Sequence, residues 1–499
     1  MSLIVPQRRA ALSHSFPMEA NRASSWLASL RPLHSTSDAR EVLRGLKHSN
    51  RLSASTRERR AVMECFIPVL ADLHEHLSEQ CLAQPLPLTT EFQSAATLLG
   101  NLLREEAYTY KILVSEEPEP KALEISLALY ALVKHTELSV HTYRTISNDI
   151  LQDAQQLFAL AERQKILESD TGTIPISHQY AYMLLLSLAD TYQVRVRQMP
   201  LLLSFLQENL DCAKLLSEAP DASTYSTIAI ELGKSIQPAA AASLLTKPNG
   251  STRWLDLKPI NQRIVAKMNA AQSNPTPTLG ADTLEKRTLA RLQMAFNRNR
   301  RRRSARSITH TSIPALFGHQ EICAAIAMVD RLDETASMPG EPVERSQEDL
   351  EALYTEHTGW LVTNHSTHGL CLSHSQCLPG TVQVGQLLGL PGATQTRLAV
   401  VRWMKATDQS AITLGAELLS KSVMAVSISQ DDSELAEDNG LIFACKVHDT
   451  VVQTIMLPAY RFKENDSLTV KRKLKSRKVQ LGSCLQHNGL FGHFVLSGI

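Results

Sequence analysis

The chain has 499 residues, with 51 basic and 50 acidic side chains and a formal net charge of +1. That balance excludes a protein that coats nucleic acid through its overall charge, and makes charge a local question. An apolar share of 43% excludes disorder of the whole chain, and the length predicts about two or three domains rather than one core. The eight cysteines are scattered, with no C-x-x-C pair and no grouping with histidine, so they are expected to be small buried residues in a reducing cytoplasm rather than metal ligands. Met1 to Pro17 lacks the apolar core of a secretory signal, and the apolar run Met183 to Ala189 is far too short to span a bilayer. A soluble, cytoplasmic protein is expected.

From about Ser37 to Phe296 the apolar residues recur at helical spacing. Phe92, Ala95, Leu99, Leu102 and Ala107 form one stripe; Leu123, Leu127, Tyr130 and Ala131 a second; Leu151, Ala154, Leu157, Phe158 and Ala161 a third. Prolines at 85, 87, 118, 120, 175, 200, 220 and 248 divide the region into helices of ordinary length, with no fixed-period repeat. Residues 1–272 therefore read as an all-α domain, and 273–296 as a proline-containing linker followed by a connecting helix. His74, His76 and the paired acids of these helices fit a wet helix face and form no catalytic constellation.

That helix runs into the cluster Arg298-Asn-Arg-Arg-Arg-Arg-Ser-Ala-Arg306. Beyond it the pattern changes to short runs rich in β-branched and aliphatic residues: Ile308–Leu316, Glu321–Met328, Trp360–Thr363, Gly369–Leu372, Val382–Leu388, Arg397–Trp403 and Ile412–Leu419. Turn dipeptides separate several of them, so a small antiparallel barrel over 297–425 is expected. An acidic excursion from Asp330 to Glu356 interrupts it, with a short surface helix expected over Gln347–Tyr354. Residues 426–499 read as a further β module of five strands. Its basic run Lys471-Arg-Lys-Leu-Lys-Ser-Arg-Lys478 falls between two of them, where a solvated hairpin tip is expected.

Guanidinium forks donate paired hydrogen bonds to phosphate oxygens and to the Hoogsteen edge of guanine. Asn364-His-Ser-Thr-His-Gly369, between two predicted strands, offers an amide, a hydroxyl and a backbone free of Cβ. Arg302-x-x-x-Arg306 and Asn364-x-Ser366-x-x-Gly369 together resemble the paired signature of PilZ domains, bacterial receptors for cyclic di-GMP. The later strands continue the likeness: Gly369-Leu-Cys-Leu372, Leu378-Pro-Gly380, Leu398-Ala-Val-Val-Arg-Trp403 and Leu414-Gly-Ala-Glu-Leu418. The resemblance covers about residues 297–420, with a longer gap between the two motifs than PilZ domains usually show. It implies a non-catalytic receptor, with Arg302 and Arg306 on phosphates and guanines, Asn364 and Ser366 on guanine or phosphate, and Gly369 shaping the turn. Arg298, Arg301 and Arg303 are adjacent candidates.

No G-x-S-x-G, P-loop, H-E-x-x-H or glycine-rich dinucleotide turn occurs, and neither do the sequences of enzymes that make or degrade cyclic di-GMP. The expectation is thus a cyclic di-GMP receptor without cofactor or metal, passing ligand binding to a helical domain that holds a protein partner. Two other readings remain open at this level: an interaction scaffold whose barrel takes no ligand, and a nucleic-acid-binding protein that uses the two basic runs.

Overall fold

A computed structural model describes residues 3–10, 16–30, 36–82, 84–117, 121–218, 220, 226–233, 239–240, 250–273, 281–297, 304–336, 344–378, 380–406, 411–430, 438–447, 450–473 and 475–498. The chain forms two compact units, one of residues 1–301 with 406–408 and one of residues 302–405 with 409–499.

The first unit opens with eight helices: α1 (Ala20–Ser29), α2 (Thr36–Asn50), α3 (Thr56–Leu82), α4 (Thr90–Glu116), α5 (Ala122–His141), α6 (Asn148–Arg163), α7 (Ile176–Leu188) and α8 (Met199–Glu208). Two of the three apolar stripes point inward: Ala95, Leu99, Leu102 and Ala107 of α4 are buried, as are Ala154, Leu157, Phe158 and Ala161 of α6. On α5 the expectation holds for Ala131, which is buried, and is otherwise corrected. Leu123 and Tyr130 are 45% and 43% exposed, while Ile125, Ala128, Leu129 and Leu132 carry the core contact. This helix is apolar around most of its circumference, and periodicity cannot choose between faces that are all apolar.

Some of the buried polar groups in this unit are paired across helices. Glu105 on α4 accepts from Asn50 Nδ2 and from both terminal nitrogens of Arg51, each at 3.0 Å. The buried Arg59 donates to the carbonyls of Ser49 and Leu52 at 2.8 Å each and so satisfies the C-terminal end of α2. The all-helical reading to Phe296 misses a small antiparallel sheet: β1 (Leu215–Leu216), β2 (Thr227–Glu231), β3 (Ala239–Ala240) and β4 (Thr252–Asp256), in the order β1-β4-β2-β3. These strands are too short to show an alternating pattern. Helices α9 (Lys258–Ser273) and α10 (Ala281–Phe296) follow, and most of the expected linker, 274–280, lies outside the described residues.

The second unit opens with β5 (Ser307–Ile313), β6 (Leu316–Phe317), α11 (His319–Ala336) and α12 (Gln347–Leu353), followed by β7 (Trp360–Ser366), β8 (Gly369–His374), β9 (Leu387–Leu390), β10 (Arg397–Ala406) and β11 (Ile412–Ser420). Its seven strands form one sheet in the order β5-β7-β8-β11-β10-β9-β6. The run Glu321–Met328, expected as a strand, lies within helix α11. Its apolar residues at i, i+1 and i+4 (Ile322, Cys323 and Ile326) are buried, and Glu321 accepts the Phe317 N–H at 2.9 Å beside the first turn. A short apolar run is ambiguous between strand and helix until its partners are known. Helix α12 begins at a reciprocal Ser346–Asp349 capping box and is more than a surface helix, since Leu350 and the following Tyr354 enter the core.

The chain closes with β12 (Met424–Gln430), β13 (Asp438–Val447), β14 (Thr450–Pro458), β15 (Ser467–Arg472), β16 (Lys475–His487) and β17 (Phe491–Gly498), a closed six-stranded antiparallel barrel in the order β12-β13-β14-β17-β16-β15. The sequence reading has five of these strands and lacks β12, which is needed for closure. Val426, Ile442, Ile455, Val470, Val479 and Phe494 fill the barrel. Phe443, Met456 and Phe491 face outward and join Leu316, Ile322, Leu350, Leu387 and Leu398 in a second core, so sheet and barrel are one body.

Candidate ligand-binding site

The site is built on the register of three strands. In the β7–β8 hairpin Ser366 pairs with Gly369 across the two-residue turn Thr367-His368, and Asn364 pairs with Cys371. A bulge between Val362 and Asn364 lets Thr363 Oγ1 bond the Cys371 carbonyl at 3.3 Å. Ser366 Oγ donates to the Gly369 carbonyl at 3.3 Å and accepts the His368 N–H at 3.4 Å, which closes the turn on itself.

Gly369 is required sterically. A Cβ built there would lie 2.6 Å from the carbonyl oxygen of Ala416 on the neighbouring strand β11. The same approach lets the Leu418 N–H reach the His368 carbonyl at 2.9 Å, so β11 holds the turn from one side. Gly369 pairs with Glu417, whose Oε2 accepts from Arg402 Nε on β10 at 2.5 Å. Residues directly opposite on neighbouring strands share a face, so Ser366, Gly369 and Glu417 form a polar row. In the next row Asn364, Cys371 and Gly415 stand together, and the indole of Trp403 occupies the space that a Gly415 side chain would need.

Strand β5 brings the first motif to the same place. Ser307 pairs with His365 and Ile308 with Asn364. Continued by one residue, this antiparallel register sets the exposed Arg306 beside Ser366. The start of β5, and Arg306 just before it, thus lies at the end of the sheet that carries Asn364, Ser366 and Gly369, although 58 residues separate Arg306 from Asn364 in sequence. Arg298, Arg301, Arg302 and Arg303 lie outside the described residues. His365 is paired with Leu370 and alternates to the opposite face from Ser366. Among the described residues, no group of three or more histidine, cysteine or acidic side chains is placed to hold a metal ion. None of the described helices is long and apolar enough to cross a membrane.

Sequence reasoning missed the Arg402–Glu417 pair and the Trp403–Gly415 contact as features of the site. The only signal for the pair was a charged residue within each of two strands otherwise apolar or small. Chemically, this end of the sheet offers an exposed guanidinium, a hydroxyl and an amide near a tight turn, a set suited to phosphate oxygens and a purine edge.

The comparison with known families bears on the sheet that carries this turn. Residues 319–424 match the family model described as the middle PilZ domain of the cyclic-di-GMP receptor FimW, and this segment is a PilZ domain. Residues 21–221 match the model of that receptor's N-terminal domain, a relationship for which the helical sequence showed no motif. The cyclic-di-GMP receptor FimW of Pseudomonas aeruginosa (strain PAO1) is 21% identical over 540 residues, an alignment that takes in 94% of this chain and 89% of the receptor. No solved structure matches the chain. The PilZ match begins at residue 319, so the second motif lies inside it and Arg302 and Arg306 lie before it.

Proposed function

We propose that this chain is a non-catalytic cytoplasmic receptor for cyclic di-GMP, with Arg302, Arg306, Asn364, Ser366 and Gly369 as its binding residues. The observation that supports the reading most is the β5–β7 register, which starts at Ser307 opposite His365, one residue from Arg306 and from Ser366, next to a turn inside the segment that matches a PilZ domain. The name of the relative, which spans both regions of this chain, supports the same ligand.

In this reading the guanidinium of Arg306 holds a phosphate or the Hoogsteen edge of guanine, and Arg302, four residues earlier, reaches a second part of the molecule. Ser366 and Asn364 supply neutral hydrogen bonds. Arg298, Arg301 and Arg303 add positive potential. Charged hydrogen bonds contribute about 1.5–3 kcal/mol each, so three or four of them suffice for roughly micromolar affinity. Arg301 and Arg302 also mark where the first compact unit ends and the second begins. A ligand that holds these arginines bears on that junction, and through it on a helical unit that binds a protein partner.

Calorimetry on the full chain tests the proposal. Cyclic di-GMP is expected to give a saturable isotherm and GTP none, with Arg302→Ala and Arg306→Ala each weakening binding about tenfold or more. A wild-type chain that gives no heat with cyclic di-GMP refutes it. A basic run used instead for nucleic acid shows as oligonucleotide binding that falls steeply with salt.

A further inference from the structure

Every second residue of a barrel strand faces the interior. The interior rows that contain Ile442, Ile455 and Val479 continue past the core to one end of the C-terminal barrel, where they place Ala444 on β13, Gln453 on β14 and Arg477 on β16. There Arg477 Nη2 donates to Gln453 Oε1 at 2.9 Å. With its oxygen engaged, the Gln453 amide keeps its NH2 group as a donor.

This end of the barrel is the wall of a cleft of about 590 Å³ whose other wall belongs to the PilZ sheet. Thr367, from the turn between Ser366 and His368, lines it, as do residues 418–422, Met424, Ala444 and Gln453. Its volume lies within the roughly 300–1,000 Å³ of small-molecule sites. None of the residues lining it is acidic, and Lys421 is a cation. Arg472, two residues beyond Val470 on β15, is engaged with Asp330 at 3.4 Å. The cleft therefore combines apolar walls, an amide donor oriented by a guanidinium and a lysine, with no acidic side chain among the described lining residues, beside the turn assigned to the ligand.

We propose that the C-terminal barrel completes the dinucleotide site. The cleft takes the half of the ligand that extends beyond Thr367, with Lys421 meeting phosphate and Gln453, oriented by Arg477, bonding a guanine edge. The inference rests on the function proposed above, and it assigns a ligand-binding role to a barrel end that lies outside the 319–424 PilZ match.

Calorimetry with cyclic di-GMP on the full chain separates the two ideas. Gln453→Leu combined with Arg477→Ala is expected to raise the dissociation constant about tenfold or more, and Lys421→Ala to raise it severalfold with a shallower salt dependence. Lys421 is exposed and lies outside the strands, so its variant remains informative where the barrel variant does not fold. Wild-type affinity in Lys421→Ala, or in a folded Gln453→Leu/Arg477→Ala chain, overturns the inference while Arg306→Ala still loses binding and the receptor reading stands. A wild-type chain that binds no cyclic di-GMP overturns both.

Discussion

Replacing Gly369 by alanine tests the geometry of the site directly. The new methyl would start 2.6 Å from the Ala416 carbonyl oxygen and must move to the 3.0–3.4 Å of a tight but tolerated contact, a displacement of 0.4–0.8 Å. The obstacle is backbone of an interior strand, flanked by β8 on one side and β10 on the other, so no side-chain rotation relieves it. Overpacking of this kind costs about 1–3 kcal/mol, and losing the 2.9 Å bond from the Leu418 N–H to the His368 carbonyl adds about 0.5–1.5 kcal/mol. A loss of roughly 2–4 kcal/mol in a unit of this size lowers Tm by about 4–16 °C. Thermal melts followed by circular dichroism read the stability, and titration with cyclic di-GMP reads the site, which should weaken because the Ser366 turn shifts with β8. Gly482→Ala on β16 is the control, since its methyl would meet nothing closer than 3.4 Å. A Gly369→Ala chain that melts and binds like the wild type refutes the argument that close approach of β8 and β11 shapes the turn.

Three further outcomes are expected. His493 is 5% exposed, lies against Phe443, and burial lowers its pKa from 6.5 to about 4. The unfolded chain therefore binds the proton more readily. The stability due to the neutral ring is complete above pH 6.5 and is lost as pH falls towards 4, by on the order of 2–3 kcal/mol, and His493→Phe should flatten this dependence in denaturant titrations across that range. Glu105→Ala leaves Asn50 and Arg51 without their shared acceptor and should cost about 2–3 kcal/mol, measured by urea unfolding; Glu105→Gln should recover part of it. Arg306→Lys keeps the charge but not the fork, and is expected to bind cyclic di-GMP less tightly than wild type in the same calorimetry, with the melting temperature unchanged.

Much of the fold was legible from periodicity. The stripe of α6 lies on one face and is identified by a single apolar period, and the stripe expected on α4 is buried as well, although that helix is covered on nearly every side from Leu98 to Val114. The reading failed where both sides are covered or the element is short. Helix α5 is apolar nearly all round, Glu321–Met328 is a short run that packs as a helix between sheet and barrel, and β1–β4 are brief strands. Strand β12 passed unnoticed because Met424–Gln430 follows β11 after only three residues, with no Gly or Pro between them to mark a turn.

For the site, the residue types were available in the sequence: a guanidinium cluster in one place, and an amide, a hydroxyl and a glycine in fixed spacing in another. Their chemistry depends on side-chain identity alone, and that is local information. Whether they meet is not local. It depends on the pairing of β5 with β7, which joins Ser307 to His365 across an intervening helical excursion, and on β11, whose carbonyl at Ala416 excludes any side chain from position 369. The cleft walled by Gln453 and Lys421 is a property of the tertiary structure in the same sense, since a hydrogen bond between Arg477 and Gln453 exists only once the barrel has closed. Composition and spacing decide which groups a chain carries; strand register and closure decide which of them share a surface.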